Sequence, residues 1–362
     1  MIKIKTELLK SMIDKSLKVC SFDKLSPLTE LIEIKIDGED LSLQTTDKIT
    51  NMIVKGKIEG NTETARVVVD AKIFAALISK TSTEDVELNI TQSSLIVTGN
   101  GTYYLDIRID ESGEIISFPE ISVDANKEAR EIALDELSAR MAICRPAIPD
   151  NFDTPELNNY YLGESIITSN AFVVTSLNNI DKLKDKVIFI RKTLGNILID
   201  LGLKKGKMYI DNDNIIIYDD TYVISSTLSD DLDKYPLEGI KAFLGSKFSY
   251  KVEILKDELL ALLDRLSLFV SEYDDNSINL LFTKDKMVVN SIKSTANEEI
   301  TYESAEVEGL VEYNCKVDIK YLKQQMEAIP EAKVTIEFGG SDEAIKFVSG
   351  EINQIVSLKV GD

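Results

Sequence analysis

The chain has 362 residues, a formal charge of −21, 44% hydrophobic and 28% charged residues, three cysteines and no histidine. Such a length suits two or three domains of about 100–150 residues rather than one core, and the composition excludes a disordered chain. Missing histidine removes the commonest general base and metal ligand, and the start MIKIKTELLK offers no signal peptide, so a cytoplasmic non-enzyme without cofactor or metal is expected.

In chain order, apolar residues at three- and four-residue spacing predict a helix over 6–20, followed by strands within LIEIKIDGEDLSLQTTD (31–47). A β-rich RVVV then leads into VDAKIFAALISKTSTEDVELNI (69–90), a second helix and a strand that turns at TQSS into LIVTG. The same succession returns with a helix over 134–148, strands over 158–170, then VIFI leading into FIRKTLGNILIDLGLKKGKMYI (189–210) and a hairpin through DNDN. It returns again with a helix over 255–270, strands over 278–293, then VDIKYLKQQMEAIPEAKVTIEF (317–338) and a hairpin through GGSDE. Laid side by side, the first and third copies place Val69 on Val317, Asp70 on Asp318, Phe74 on Leu322, Ile78 on Met326 and Leu88 on Ile336. Their offset of 248 is two lengths of 124, too long for a solenoid repeat of about 20–50 residues. The expected fold class is α+β: three similar domains, 1–124, 125–246 and 247–362, each with two helices on an antiparallel sheet.

The helices depart from the acidic average. Residues 6–22, 70–82, 133–148, 191–205, 254–271 and 318–330 hold 15 Lys/Arg against 11 Asp/Glu, a net +4 that leaves −25 for the rest. Cations opposite an apolar stripe suit a solvated face, or a shared basic surface if equivalent helices lie on one side of their sheets. Cys20, Cys144 and Cys315 show no metal-ligand spacing and are expected as small buried hydrophobes. Acidic pairs such as Asp219–Asp220 and Asp274–Asp275 fall in predicted turns, where solvated loop carboxylates are the plain reading.

The order of these segments resembles the bacterial DNA polymerase sliding clamp, the beta subunit of the replicative polymerase, over essentially the whole chain. LSLQTTD (41–47), VVVDAKIF (67–74) and FPEI (118–121) are similar to first-domain stretches of that family, and IITSNAFVV (166–174) and LSDDLDKYP (228–236) to a loop and a strand of the second. VDIKYLKQQMEAI and QIVSLKV (354–360) match its last helix and last strand. The second-domain loop lacks the family's Gly, His and Arg, and the tail ends SLKVGD, which suits a phage or mobile-element version as readily as a chromosomal one.

The resemblance implies half of a six-domain ring, a head-to-tail homodimer that encircles duplex DNA without reading its sequence and tethers DNA polymerase and clamp loader through short linear peptides. A protein-interaction scaffold of clamp fold that no longer encircles DNA is the alternative. Channel candidates are Lys10, Lys15, Lys18, Lys72, Lys80, Arg140, Arg145, Arg191, Lys192, Lys204, Lys205, Lys256, Arg265, Lys320 and Lys323, with Lys24 on the loop after the first helix. The matching peptide cleft comprises Leu157, Ser169, Ala171, Phe172, Val174, Tyr235, Leu237, Ile355, Val356 and Leu358, and the dimer contact Tyr103 with Leu268 and Phe269. Because strand residues alternate faces, Ile355 and Val356 are expected on opposite sides.

Overall fold

Runs such as LIEIKID and VELNI place branched apolar residues at alternate positions, which suits strands with one face on a core. The computed structural model describes residues 1–23, 25–149, 154–271, 273, 275–293, 295–340 and 343–359. Its element order opens with β1 (Ile2–Lys5), α1 (Thr6–Ser16), β2 (Leu31–Asp37), β3 (Asp40–Thr46), β4 (Thr50–Lys57), β5 (Thr64–Asp70), α2 (Ala71–Ser79), β6 (Asp85–Ile90), β7 (Ser94–Thr98) and β8 (Thr102–Asp106). The order returns as β9 (Arg130–Ala133), α3 (Leu134–Cys144), β10 (Asn159–Leu162), β11 (Ser165–Ser169), β12 (Val173–Asn178), β13 (Ile188–Arg191), α4 (Lys192–Leu201), β14 (Lys205–Asp211), β15 (Asn214–Tyr218) and β16 (Tyr222–Thr227). After a short α5 (Leu237–Leu244) come β17 (Tyr250–Leu255), α6 (Lys256–Leu266), β18 (Ser277–Phe282), β19 (Lys286–Ser291), β20 (Asn297–Thr301), an added β21 (Ser304–Glu306), β22 (Tyr313–Asp318), α7 (Ile319–Ala328), β23 (Lys333–Phe338), β24 (Ala344–Ser349) and β25 (Ile352–Ser357).

Contacts divide the chain into two compact units, 1–135 with 196–228 and 136–195 with 229–362. The first holds a four-stranded sheet, β1-β6-β7-β8, and an eight-stranded one, β5-β2-β3-β4-β16-β15-β14-β9. In the second are a nine-stranded sheet, β13-β10-β11-β12-β25-β24-β23-β17-β21, and a four-stranded one, β20-β19-β18-β22. Among the described residues these strands pair antiparallel throughout, as in Ile34↔Leu43 between β2 and β3. The units cut through the middle copy of the element order.

Within the first unit α1 and α2 lie side by side, α1 on β3 and β4, α2 on β2 and β5. In the second, α6 and α7 pair in the same way. The apolar residues that the first and third copies share are all core: Val69 and Val317, Phe74 and Leu322, Ile78 and Met326, Leu88 and Ile336 are each 0% exposed. The shared aspartate has a separate task. Asp70 Oδ1 accepts from Ile73 N at 2.8 Å, and Asp318 Oδ1 from Lys320 N at 2.8 Å and Tyr321 N at 3.2 Å, so each caps its helix. In the middle copy Arg191 precedes α4 instead, and the fourth helical residue is Gly195 where Phe74 and Leu322 stand in the others. A Cβ there would lie 2.3 Å from Tyr160 Cε2. Tyr160 occupies the strand position of Ile32 and Ile278, one residue in from the same end of its strand. A large strand residue and a small helix residue have exchanged sizes.

Three expectations need correction. The first helices end at Ser16, Cys144 and Leu266, short of 20, 148 and 270; Pro146, without an N–H, sits in the 3-10 turn after α3, and a second such turn, Ser267–Phe269, follows α6. Cys20 accordingly lies beyond α1 while Cys144 closes α3. Residues 228–236 form a 3-10 turn, Asp231–Lys234, rather than a strand, fixed by a 2.9 Å ion pair between Lys234 and Asp231.

Candidate functional site

The helical cations separate by what already holds them. Lys256 is mostly covered, its side chain 14% exposed, and donates to Ile329 O at 2.8 Å, at the end of α7. Arg265 makes a two-pronged pair with Glu298 of β20, and Lys323 binds Asp264 of α6 at 2.5 Å. Arg140 is claimed by Glu136, Glu351 and Asn178 O. Lys10 donates to Thr81 O at 2.9 Å, Lys192 to Pro149 O at 2.8 Å, and Arg191 stands 3.9 Å from Asp230. Lys15, Lys18, Lys72, Lys80, Arg145, Lys204, Lys205 and Lys320 make no side-chain ion pair among the described residues, and all but the half-buried Lys15 are exposed. Lys24 lies outside the described residues.

A second feature is an apolar cluster beneath α5 in the second unit. It joins Leu157, Tyr161, Ile167, Val174, Phe189, Tyr235, Ile240, Ala344 and Ile355, with Leu237, Phe243 and Leu244 of α5 packed partly buried against it. Tyr235 stacks on Tyr161 at 6.0 Å and meets Phe189 edge-on at 5.1 Å, geometries that aromatic quadrupoles favour. Burial pushes the Tyr235 hydroxyl well above its ordinary range. Five of the ten predicted cleft residues therefore meet here: Leu157, Val174, Tyr235, Leu237 and Ile355. Val356 and Leu358 pack on the other cluster of the unit, with Leu322 and Met326 of α7. Ser169 Oγ accepts from Ala171 N, whose φ of 73° closes the turn, and Phe172, 58% exposed, stacks on Tyr321 of α7 at 5.8 Å. Tyr161, Ile167, Phe189 and Ala344 were not foreseen; each occupies an alternate strand position, so their shared face emerges only once register is known.

A third feature is a pair of open edges. β8 and β20 each end a four-stranded sheet. On β8, Tyr103 is 42% exposed; beside α6, Leu268 and Phe269 are 80% and 52% exposed.

The thiols look inert: burial pushes Cys20 and Cys315 up to about 12 and Cys144 higher still. Asp219 serves its turn, accepting from Thr221 N and Tyr222 N, and Asp275 is at φ 55° in its own, with Asp274 outside the described residues. Among the described residues no helix is long and apolar enough to cross a membrane.

Repeated α+β units that share a sheet at each joint, with paired helices on one face, define the DNA-clamp class of fold. Residues 1–115 match the family model of the DNA polymerase III beta subunit, N-terminal domain. Over its length the chain is similar to the beta subunit of Thermotoga maritima, with TM-score 0.87, 14% identity, and coverage of 100% of this chain and 99% of that one. It is similar also to the Borrelia burgdorferi subunit, at 0.87, 14% and 99% of both chains, and to a putative one from Eubacterium rectale, at 0.84, 17% and 99% of both. No curated protein sequence matches the chain. The first 115 residues thus resemble the beta-subunit family's N-terminal domain, and over its whole length the chain has the fold of these solved beta subunits.

Proposed function

We propose that this chain is a DNA sliding clamp: a cytoplasmic, non-catalytic, cofactor-free processivity factor that closes head to tail as a homodimer around duplex DNA. Its three domains would be 1–124, 125–246 and 247–362. The observation that carries this reading is the rule of strand pairing. At one joint β4 pairs with β16, and at the next β12 pairs with β25. By element order the third member of that series is β20 with β8, each of which ends a four-stranded sheet. Joined between copies, they would give the order β22-β18-β19-β20-β8-β7-β6-β1, which matches β5-β2-β3-β4-β16-β15-β14-β9 strand for strand. A contact between unlike patches that closes after two copies makes a ring and pairs the β8 and β20 edges of both copies.

The register carries over too. Ile224 falls opposite Met52 and Val223 opposite Ile53, so Tyr103 of one copy would fall opposite Ala296 of the other, a large side chain against a small one, and Thr102 opposite Asn297. The free cations Lys15, Lys18, Lys72, Lys80, Arg145, Lys204, Lys205 and Lys320 would meet phosphates, holding duplex by counterion release without base readout. The aromatic cluster beneath α5 would receive short apolar peptides from polymerase and clamp loader, as a groove takes peptide anchors.

The test is a Thr102→Cys/Asn297→Cys double variant. Oxidation should yield a species of twice 40.4 kDa that stays on closed circular DNA in high salt and leaves when the circle is cut. Monomer at all concentrations would sink the ring. A second reading, an interaction scaffold of clamp fold, is favoured by the pairing of Arg140, Arg265 and Lys323 with carboxylates, and a linked dimer that never retains circular DNA would select it.

A further inference from the structure

The connector between β8 and β9 runs over the outward face of the eight-stranded sheet, away from α1 and α2. Two of its carbonyls are tied to that sheet: Arg66 Nη2 donates to Ile116 O at 2.8 Å, and Gln44 Nε2 to Pro119 O at 2.7 Å. The amide N–H groups of Ser117, Phe118, Glu120 and Ile121 find no hydrogen-bond partner among the described residues. Between connector and sheet lies a cleft of about 770 Å3.

Its floor is a cross-strand row. Register places Arg66 opposite Lys35, Lys35 opposite Ser42, and Ser42 opposite Lys55, so the two lysines stand on strands flanking the serine, at about 5 Å per strand spacing. Arg66 is neutralised by Glu33 at 2.6 Å, and the lining Asp40 by Lys57 at 2.6 Å. Lys35 and Lys55 are exposed and make no ion pair among the described residues; Glu120 of the connector is the remaining acid of the lining. Two flexible ammonium groups can thus converge over the Ser42 hydroxyl, which itself donates to Lys35 O at 3.4 Å, with the unbonded connector amides belonging to residues that line the same cleft. Ile53, Phe118 and Ile121 supply an apolar wall beside them. Lys35, Lys55 and Arg66 balance Glu33, Asp40 and Glu120 across the lining, so on a chain of net charge −21 the cleft is a locally neutral patch in which two lysines are unpaired.

We infer that this cleft binds a small organic phosphate of nucleotide size, its phosphoryl group held by Lys35, Ser42 and Lys55 and its ring against Ile53 and Phe118. The volume falls within the roughly 300–1,000 Å3 of small-molecule sites and exceeds what a lone phosphate fills, and a connector across one wall leaves no room for a duplex. The inference rests on the first unit alone and is independent of ring closure.

Titration calorimetry of the full chain with ADP, pyrophosphate and inorganic phosphate tests it. ADP should bind best, with pyrophosphate weaker and phosphate weakest. Lys35→Ala/Lys55→Ala should weaken ADP at least tenfold, while Lys3→Ala, on β1 and outside the lining of the cleft, should leave it unchanged. Since the lysines are exposed, both variants should keep the parent melting temperature. Absence of heat at millimolar ADP, equal affinity in the double variant, or pyrophosphate binding as well as ADP would each overturn the assignment, as would displacement of ADP by a single-stranded oligonucleotide at lower concentration.

Discussion

In the proposed ring, replacing Leu268 and Phe269 with alanine should separate the two copies without unfolding the protomer. Both side chains are largely outside the core of the isolated chain, 80% and 52% exposed, so truncation removes little that holds the second unit together. Full burial of such a side chain is worth about 1.5–3 kcal/mol. Scaled by those exposures, covering the pair at one contact contributes about 2–4 kcal/mol, and a closed dimer has two contacts, hence about 4–8 kcal/mol in all. At 1.4 kcal/mol per factor of ten, the dimer dissociation constant should rise roughly 10³- to 10⁶-fold. Sedimentation velocity across a thousandfold range of concentration reads this directly, with the parent as dimer and the variant as monomer at the dilute end. Circular dichroism and thermal melting at one fixed dilute concentration supply the folding control. A variant that stays dimeric throughout would refute the assignment of these residues to the contact between copies; a variant that unfolds would show that they belong to the core.

Three further outcomes separate functional side chains from structural ones. Lys204→Ala/Lys205→Ala should lower the salt slope of duplex binding by about 2, given about 0.9 per phosphate contact, whereas Lys256→Ala should leave the slope alone and cost about 1 kcal/mol of stability by orphaning the Ile329 carbonyl; equal slope changes would dissolve the distinction. With thiols pushed to about 12 or above by burial, all three cysteines should react slowly with a disulfide reagent at pH 8 and promptly in urea, and one fast native thiol would contradict their burial. Gly195→Ala gains about 1 kcal/mol of helix propensity yet should destabilise on balance, because its methyl would sit 2.3 Å from Tyr160 and 2.8 Å from Met141 and overpacking costs about 1–3 kcal/mol. Urea midpoints should fall for Gly195→Ala and recover in part with Tyr160→Ile added.

Those last two residues explain why the middle copy of the repeat is faint in the sequence while the outer two are plain. Side-by-side reading compares residues at one position, and it recovers Phe74 with Leu322 or Ile78 with Met326 because each fills the same part of its own core. Between α4 and β10 the same space is filled from the other side, by Tyr160 against Gly195, so a conserved volume is carried by two positions that both look changed. The helix cap behaves likewise: Asp70 and Asp318 cap, and Arg191 stands in their place.

Functional surfaces were legible to the degree that they depend on local pattern. Lysines on helices are visible as charge, but whether one is free depends on partners far away in the chain, as Arg140 on Glu351 and Lys256 on Ile329 illustrate. The predicted cleft split in two for a related reason. Ile355 and Val356 are neighbours with alternate directions, and only the pairing of β12 with β25, Val174 against Ile355 and Val173 against Val356, decides which face each one serves. The same pairing is what leaves β8 and β20 as the unmatched members of their series. A rule of joints that can be stated only in register, and not in residue type, is therefore the physical reason to expect that this chain needs a second copy of itself.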